Sequence, residues 1–249
     1  MNIVKNPIIL IPSRLASSRF PNKPLADIHG EPMIVTCWRR AKEADIGPVI
    51  VACGDEEIKL AVEAVGGHAI MTDPNHMSGS DRIHEAITLI DPDLRHDCVI
   101  NFQGDLPTID SKIIVSVLGP MVNHSVDIAT LISKISNPEE CNNPNIVKVA
   151  VGLKEGEKLG RALYFSRANI PAGNGPRYHH IGLYAYRRKA LDQFIRWPRG
   201  ILEDYENLEQ LRVLENGLQI GVALVDTVPL GVDTLEDLIL ARKILKTIS

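Results

Sequence analysis

Apolar and polar residues alternate along the first half of the chain in a way that predicts strands and helices in turn. Four apolar runs are typical of buried strands: "PIILIP" (7–12), "PVIVAC" (48–53), "HAIM" (68–71) and "CVINFQGD" (98–105). The amphipathic segments between them predict helices over 32–44, 55–67 and 78–90. Near-continuous apolar strands that alternate with helices indicate a parallel sheet covered on both faces, so about the first 120 residues are predicted to be Rossmann-like α/β.

Local signals support the limits of these three helices. Pro32 stands at the predicted first position of the first helix. Acidic residues begin the second, and Gly66 follows its end. Serines and Asp81 form a plausible N-cap for the third.

The second half is less regular and richer in strands. "VKVAVG", "ALYFS", "HIGLYAY" and "LQIGVALV" predict strands, while 207–217 and 232–245 predict helices, the first ended by Gly217. No repeat or Pro/Ser-rich linker divides the chain. We therefore predict one domain over residues 1–249, with a β segment inserted at roughly 146–190.

Composition and charge narrow the classes of function. The chain has 249 residues, 45% of them hydrophobic and 23% charged, as in an ordinary soluble domain, and its net charge is −4. An anionic partner must then be bound by a local basic cluster, and we expect no nucleic-acid partner. We also expect no membrane partner, because no apolar run approaches the roughly 20 residues that span a bilayer. We expect no signal peptide, because "NPIILI" is too short for its apolar region and no small-residue cleavage site follows. Four cysteines without a CxxC spacing favour thiols in the cytoplasm.

The loop after the first strand, "IPSRLASSRFPNKPL" (11–25), combines cations, hydroxyls and prolines. Arg14 and Lys23 can meet a triphosphate, and the hydroxyls of Ser17 and Ser18 can contribute to its cradle. The loop lacks both GxxxxGK[ST] and GxGxxG, so it is neither a P-loop nor a dinucleotide fingerprint. From the residues alone, a solvated surface loop remains equally open.

Two aspartates are candidate ligands of the Mg²⁺ that accompanies a triphosphate. Asp105 follows the fourth strand in "FQGD", at the edge where doubly wound sheets bind ligands. Asp233 lies in "GVDT" before the last helix. A turn aspartate and a plain helix cap are the respective alternatives, and for Asp233 the residues alone favour the cap.

A collinear set of motifs from about residue 8 to 245 resembles the 3-deoxy-manno-octulosonate (Kdo) cytidylyltransferases, also called CMP-Kdo synthetases. The motifs are "IPSRLASSRFPNKPL", "SGSDR", "NFQGDLP", "ALYFSRANIP", "HHIGLYAYR", "LEQLRVLENG" and "GVDTLEDL". The resemblance implies a nucleotidyltransferase fold of Rossmann-like type, with a mixed, mostly parallel sheet, helices on both faces and an inserted β segment that contributes to dimerisation. It implies transfer of CMP from CTP to Kdo, with pyrophosphate released, for lipopolysaccharide synthesis by a cytoplasmic, Mg²⁺-dependent homodimer.

The resemblance also implies roles for individual residues. Catalytic roles fall on Lys23, Arg14, Asp105 and Asp233. The two aspartates would hold Mg²⁺, which reverses the interpretation of Asp233 as a plain cap. Nucleotide contacts fall on Arg14, Ser18, Lys23, Ser80, Arg82 and Gln103. Contacts to the sugar acid fall on Arg167, His180, Tyr184, Glu209 and Gln210.

Without the resemblance these last five have ordinary alternatives. Arg167 could be a surface cation, and His180 and Tyr184, four residues apart, could be core residues on one strand face. Glu209 and Gln210 could lie on a solvated helix face.

The motifs depart from the family pattern in several places. Asn22 replaces a glycine, and we expect the turn to survive because asparagine tolerates a left-handed backbone. Leu106 stands where many members carry glutamate, and His179 where arginine is frequent. "SGSDR" replaces the common SGTER conservatively, and the loop 171–178 is short.

The implied reaction is an in-line attack of the anomeric hydroxyl of Kdo on the α-phosphate of CTP, without a covalent intermediate. Two other functions remain open on the sequence: a cytidylyltransferase for a related acid, such as an amino-Kdo or a sialic acid, and a catalytically inactive nucleotide-binding module.

Overall fold

The computed structural model describes residues 4–16 and 20–248. Contacts divide the chain into two compact units. The first unit comprises Asn6–Val115 and Pro229–Ser249. The second comprises Ser116–Val228, with Val4 and Lys5 among the described residues at the amino terminus.

Strands and helices are numbered in chain order. The strands are β1 (Pro7–Ser13), β2 (Asp27–Ile28), β3 (Glu31–Pro32), β4 (Val49–Cys53), β5 (His68–Met71), β6 (Cys98–Asn101), β7 (Ile128–Lys134), β8 (Lys148–Gly152), β9 (Leu159–Ser166), β10 (Tyr178–Arg187) and β11 (Ile220–Val225). The helices are α1 (Met33–Glu43), α2 (Glu56–Glu63), α3 (Gly79–Ile90), α4 (Ser111–Ser116), α5 (Arg188–Arg196), α6 (Ile201–Glu206), α7 (Gln210–Glu215) and α8 (Leu235–Ile248). Short 3-10 helices cover Lys23–Leu25, Gly119–Val122 and Pro138–Asn142.

The first unit is built on four parallel strands in the order β5-β4-β1-β6. Ile8 to Ile11 of the central strand β1 are at most 1% exposed, as expected of a strand covered on both faces. Ser13 pairs in register with Cys53, so β1 and β4 end at the same edge. The loops that follow these strands therefore begin side by side at the carboxyl edge of the sheet.

Helix α3 illustrates how the sequence sets an element limit. Ser78 is its N-cap, and the Asp81 amide donates to Ser78 Oγ over 3.1 Å. The Ser78 hydroxyl donates in turn to Asp81 Oδ2 at 2.8 Å. The predicted start is confirmed, with Ser78 as the cap and Asp81 in the first turn.

The second unit is mainly antiparallel. Strand β7 lies between β10, which is antiparallel to it, and β11, which is parallel. Strand β9 joins β11 to β8, and β8 pairs back to β10 through Lys148 and His179, so the five strands form a closed ring of pairings. A register shift between Ile181 and Tyr184 makes a bulge in β10.

The predicted strands and helices are largely confirmed. The predicted mixture of strand directions is also confirmed: the pairs within β5-β4-β1-β6 are parallel, whereas most strand pairs of the second unit are antiparallel. Helix α1 begins at Met33 with Pro32 as its N-cap, one residue after the prediction. Helix α7 is shorter than the predicted 207–217. The sequence prediction missed β2, β3, β7, α4, α5 and α6. The predicted insert at 146–190 spans β8 to β10, and its role in dimerisation stays a prediction, as does the single domain.

Two further expectations concern the backbone and the membrane. Asn22 has φ 57°, so it adopts the left-handed conformation expected when it replaces a glycine. No helix within 4–16 and 20–248 is long and apolar enough to cross a bilayer. The four cysteines, all in these ranges, carry thiols rather than disulfides.

Candidate active site

A pocket of about 400 Å³ opens at the carboxyl edge of the first unit's sheet. Its walls come from the loop after β1, the start of α3, the loop after β6 and the segment before α8. Six of the residues predicted as sites line it: Arg14, Lys23, Arg82, Gln103, Asp105 and Asp233. The fold thus brings together side chains that are 219 positions apart at the extremes, Arg14 and Asp233.

Lys23 is the centre of the charged network in this pocket. Its ammonium nitrogen donates to Asp105 Oδ2 at 2.9 Å and to Asp233 Oδ1 at 3.1 Å. The Lys23 side chain is 15% exposed, so burial by itself would lower its pKa, but the charges and hydrogen bonds of the two aspartates outweigh that effect and raise the pKa. Lys23 therefore remains a cation at neutral pH.

The two aspartates form a site for a positive charge. Carboxylate oxygens of Asp105 and Asp233, which are 128 positions apart in the chain, converge on one nitrogen. Within the described residues, no group of three or more His, Cys, Asp and Glu side chains is arranged to hold a metal ion. Two carboxylates are nonetheless what Mg²⁺ usually takes from a protein, since substrate phosphates and waters complete its shell. This donor set fits Mg²⁺ delivered together with a polyphosphate.

Arg82 is a second, more deeply buried cation of the pocket. It is 2% exposed, and its guanidinium donates to Thr72 Oγ1 at 2.6 Å and to the Pro74 carbonyl at 3.4 Å. Burial, followed by the charge of Arg14, lowers the pKa of Arg82 below the ordinary value for arginine. A Cβ on Gly54 would lie 2.9 Å from Arg82 Nη1, so glycine there leaves room for the guanidinium.

Arg14 lies at the start of the basic loop. Its Nη1 donates to the His76 carbonyl at 3.0 Å, and the neighbouring Leu15 amide donates to Asp55 Oδ2 at 2.8 Å. These bonds tie this part of the loop to the segments after β4 and β5. Ser18, the other predicted loop contact, lies outside the described residues.

The start of α3 adds a further positive potential. Ser78 and Gly79 border the pocket, so the amino end of this 12-residue helix faces it, where backbone amides favour anions. Ser80 is fully buried in the first turn and is not among the lining residues, so its predicted contact with the nucleotide stays a prediction. Gln103 Nε2 donates to Asn101 Oδ1 at 3.1 Å. Its nucleotide role is likewise still a prediction.

The residues predicted to contact the sugar acid all belong to the second unit. Arg167 follows β9, and its Nε donates to the Glu206 carbonyl at 3.1 Å while its Nη1 donates to the Pro144 carbonyl at 3.0 Å. Glu209 is the N-cap of α7 and Gln210 its first residue. Gln210 is 5% exposed, and its Nε2 has no hydrogen-bond partner among the described residues. A buried donor without a partner is costly, which makes Gln210 a candidate for binding an oxygen of a ligand.

His180 and Tyr184 are buried on β10, and their ring centroids lie 5.4 Å apart. His180 Nε2 lies 3.0 Å from Thr130 Oγ1. Burial, with a smaller effect of His179, lowers the pKa of His180 to about 3, so its imidazole is neutral at pH 7. Burial raises the pKa of Tyr184, so its hydroxyl keeps its proton. Core packing accounts for both positions, and their contact with a sugar acid stays a prediction.

Several residues of these sites were missed by the sequence prediction. Ser13, whose buried Oγ has no partner among the described residues, lines the pocket together with Ser78 and His76. Thr72 orients Arg82, and Glu206 orients Arg167. The serines around Ser78 were predicted only as a helix cap, from the S-x-x-D pattern, and not as part of a pocket. The others carry no local signal, since their roles arise from contacts between distant segments.

Known proteins resemble the chain over almost its whole length. A family model described as "Cytidylyltransferase" matches residues 8–220. A protein of Paramagnetospirillum magneticum named 3-deoxy-manno-octulosonate cytidylyltransferase is 59% identical over 96% of this chain and 98% of its own. One of the same name from Rhodospirillum centenum is 58% identical over 97% of this chain and 94% of its own.

Solved structures agree with the sequence relatives. The structure of CMP:2-keto-3-deoxy-manno-octonic acid synthetase complexed with CTP has a TM-score of 0.90 and 37% identity, covering 98% of this chain and all of the other. A 4-diphosphocytidyl-2C-methyl-D-erythritol synthase from Anaerococcus prevotii, at TM-score 0.64 and 12% identity over 97% and 99% of the two chains, shares the fold alone.

Proposed function

The chain belongs to the family of 3-deoxy-manno-octulosonate cytidylyltransferases, and from this premise we propose how its residues transfer CMP from CTP to Kdo. The observation that carries the proposal is the pocket in which Lys23, Asp105 and Asp233 form one charged network among further cations. Such a network suits a substrate with both negative phosphates and a bound divalent cation.

We assign the triphosphate to the basic side of the pocket. Arg14 and Lys23 neutralise phosphate charge, and the amino end of α3 contributes backbone dipoles. The family resemblance adds Ser18 to this loop and assigns Ser80, Arg82 and Gln103 to the base and ribose. Arg82 supports this assignment in one respect, because its bonds to Thr72 and Pro74 fix its guanidinium before any ligand arrives.

Asp105 and Asp233 would hold Mg²⁺. When bound, Mg²⁺ neutralises phosphate charge, orients the sugar hydroxyl and lowers the pKa of that hydroxyl. Lys23 already lies between the two carboxylates, so it is placed to exchange one partner for another: it can leave the aspartates and contact a phosphate. This exchange keeps the ammonium desolvated but paired throughout.

The sugar acid is assigned to residues of the second unit. The planar fork of Arg167 suits the carboxylate of Kdo. Glu209, Gln210, His180 and Tyr184 are assigned to its hydroxyls, as the family resemblance implies. Gln210 Nε2, which has no hydrogen-bond partner among the described residues, supports this assignment most directly, since a sugar oxygen would satisfy it.

At the α-phosphorus, the reaction forms one bond and breaks one. The anomeric oxygen of Kdo bonds to the α-phosphorus of CTP, its proton passes to water, and the bond from that phosphorus to the bridging oxygen breaks, so that pyrophosphate leaves. Positioning and charge neutralisation account for catalysis, and no covalent enzyme intermediate is required. Lys23 stabilises the charge that develops as pyrophosphate leaves.

We propose a cytoplasmic homodimer that supplies activated Kdo for lipopolysaccharide synthesis, and neither a nucleic acid nor a membrane as a partner. The thiol state of the four cysteines supports a reducing compartment. The inserted segment 146–190 is our candidate for the dimer contact.

A pyrophosphate-release assay tests the proposed function. The purified chain is incubated with Mg²⁺, each nucleoside triphosphate in turn, and Kdo, 8-amino-Kdo or a sialic acid. We expect release with CTP and Kdo, and none when Kdo is omitted. Faster turnover of another acid would reassign the substrate, and CTP binding without release for any acid would indicate an inactive nucleotide-binding module.

A further inference from the structure

Lys148, the first residue of β8, is a charged side chain in the interior of the second unit. It is 0% exposed, and its ammonium donates to three backbone carbonyls, those of Asn143, Ile146 and Arg167. A buried ammonium is costly unless its donors are satisfied, and here three acceptors match its three N–H groups. Burial still lowers its pKa.

The three carbonyls belong to two segments that meet at Arg167. Asn143 and Ile146 belong to the loop before β8, whereas Arg167 follows β9. The same loop also contacts the Arg167 side chain, because the Pro144 carbonyl accepts from Arg167 Nη1 at 3.0 Å. The Lys148 ammonium thus binds two parts of this region. One is the loop that contacts the Arg167 guanidinium, and the other is the backbone of Arg167 itself.

Glu206 also forms hydrogen bonds with Arg167. The Arg167 amide donates to Glu206 Oε2 at 3.0 Å, and Arg167 Nε donates to the Glu206 carbonyl at 3.1 Å. Ser166 Oγ donates to the other carboxylate oxygen, Oε1, at 2.6 Å. Four groups of Arg167 form these hydrogen bonds: its backbone amide, its backbone carbonyl, Nε and Nη1. Nη2 takes part in none of them.

We propose that Lys148 is a positioning residue for the sugar-acid site: it fixes the backbone and supporting loop of Arg167, so that the guanidinium presents its remaining edge in one orientation. The proposal rests on the assignment of Arg167 to the Kdo carboxylate. A planar fork binds a carboxylate bidentately only in the correct orientation, and fixing it beforehand reduces the entropy lost on binding.

The test uses Lys148→Met, which keeps most of the side-chain length and removes the three donors. Steady-state kinetics are measured with Kdo and CTP varied separately. We expect the KM for Kdo to rise about tenfold or more, because small misplacements of a binding group are costly, while kcat and the KM for CTP stay within about threefold. Lys154→Met, which removes an exposed lysine of the same unit, is the matched control.

Hydrogen exchange supplies a readout that does not depend on activity. In Lys148→Met, peptides covering 143–147 and 164–168 should exchange faster than in the wild type, and peptides from the first unit should not. Circular dichroism and thermal unfolding establish that the variant is folded. If Lys148→Met does not fold, Lys148→Gln, which retains N–H donors without charge, is measured in its place.

The outcomes separate this inference from the proposed function. A wild type that does not turn over Kdo contradicts the proposed function. A wild type that does, beside a folded variant with an unchanged KM for Kdo, overturns the positioning role. Equal losses for Kdo and CTP, or failure of both variants to fold, would show that Lys148 serves the fold as a whole instead.

Discussion

The ammonium of Lys23 lies 2.9 Å from Oδ2 of Asp105, so the basic loop after β1 and the loop after β6 meet in one ion pair. Asp233 shares the same ammonium at 3.1 Å. Two carboxylates this close would repel one another without a cation between them. The pair therefore marks the point in the pocket where positive charge, from lysine or from metal, is most strongly favoured.

Asp105→Asn and Asp233→Asn should each reduce turnover by about 100-fold or more at limiting Mg²⁺, because a neutral amide is a poorer Mg²⁺ ligand. The rate of pyrophosphate release is measured against Mg²⁺ concentration, with circular dichroism to show an intact fold. Asp93→Asn, at a carboxylate that is 73% exposed in the same unit, serves as the control. A variant with near-wild-type turnover at limiting Mg²⁺ would remove that aspartate from the site.

Lys23→Ala should lower kcat by roughly 100-fold while changing the KM for CTP much less. The reason is that its charge matters most when pyrophosphate leaves, after CTP is already bound. Steady-state kinetics with CTP varied at saturating Kdo separate the two constants. A change confined to the KM for CTP would make Lys23 a ground-state contact and contradict the role assigned to it.

The sequence predicted the first unit well because its signals are local. The apolar run 8–11 and the Ser78 cap each determine an element from neighbouring residues alone. Strand β7 was missed although Ala129 and Leu131 are fully buried, since a short apolar run without clear flanking signals does not distinguish strand from helix. The short helices α5 and α6 depend more on packing than on intrinsic propensity.

From the residues alone, the basic loop and the two aspartates were only candidates for a site, and the family resemblance was needed to favour that role over the ordinary alternatives. No local pattern relates Lys23 to Asp233, which are 210 positions apart, and the residues alone favoured a helix cap for Asp233. Lys148 and Glu206 look like ordinary charged positions in the sequence. Their structural roles depend on burial and on carbonyl or amide partners from other segments, and these contacts exist only in the folded chain.

Arg167→Ala should raise the Kdo requirement by more than ~30-fold, because a desolvated carboxylate left without its partner costs about 2–5 kcal/mol. CTP binding should stay within a few-fold of the wild type. Arg167→Lys should recover only part of the loss, since an ammonium is a point charge rather than a fork. The KM for Kdo and the dissociation constant of CTP are the measurements.

Arg161→Ala provides the matched control for Arg167, because Arg161 is an exposed arginine on the same strand, β9. It should leave both constants unchanged. Comparable losses for Kdo and CTP in Arg167→Ala would indicate that Arg167 supports the fold through Glu206 and Pro144 rather than binding the sugar acid.

His180→Gln should change how stability depends on pH. Burial, and to a lesser extent His179, lowers the pKa of His180 to about 3, whereas a histidine in the unfolded chain titrates near 6.5. Between these values the unfolded chain binds a proton at position 180 and the folded chain does not. The stabilisation associated with the neutral imidazole is therefore complete above about pH 6.5 and is lost as the pH falls toward 3.

The measurement is urea denaturation of the wild type and of His180→Gln between pH 4.5 and 7. The free energy of unfolding of the wild type should fall faster on acidification, with an extra slope that approaches about 1.4 kcal/mol per pH unit below about pH 5.5, because only the wild type can take up this proton on unfolding. The stability advantage of the wild type should thus shrink as the pH falls.

Glutamine keeps an N–H that can donate to Thr130 Oγ1, and His124→Gln, at an exposed histidine of the same unit, controls for the loss of a histidine as such. Parallel curves for the wild type and His180→Gln would mean that His180 titrates alike in the folded and unfolded chains, which would contradict its burial as a neutral imidazole.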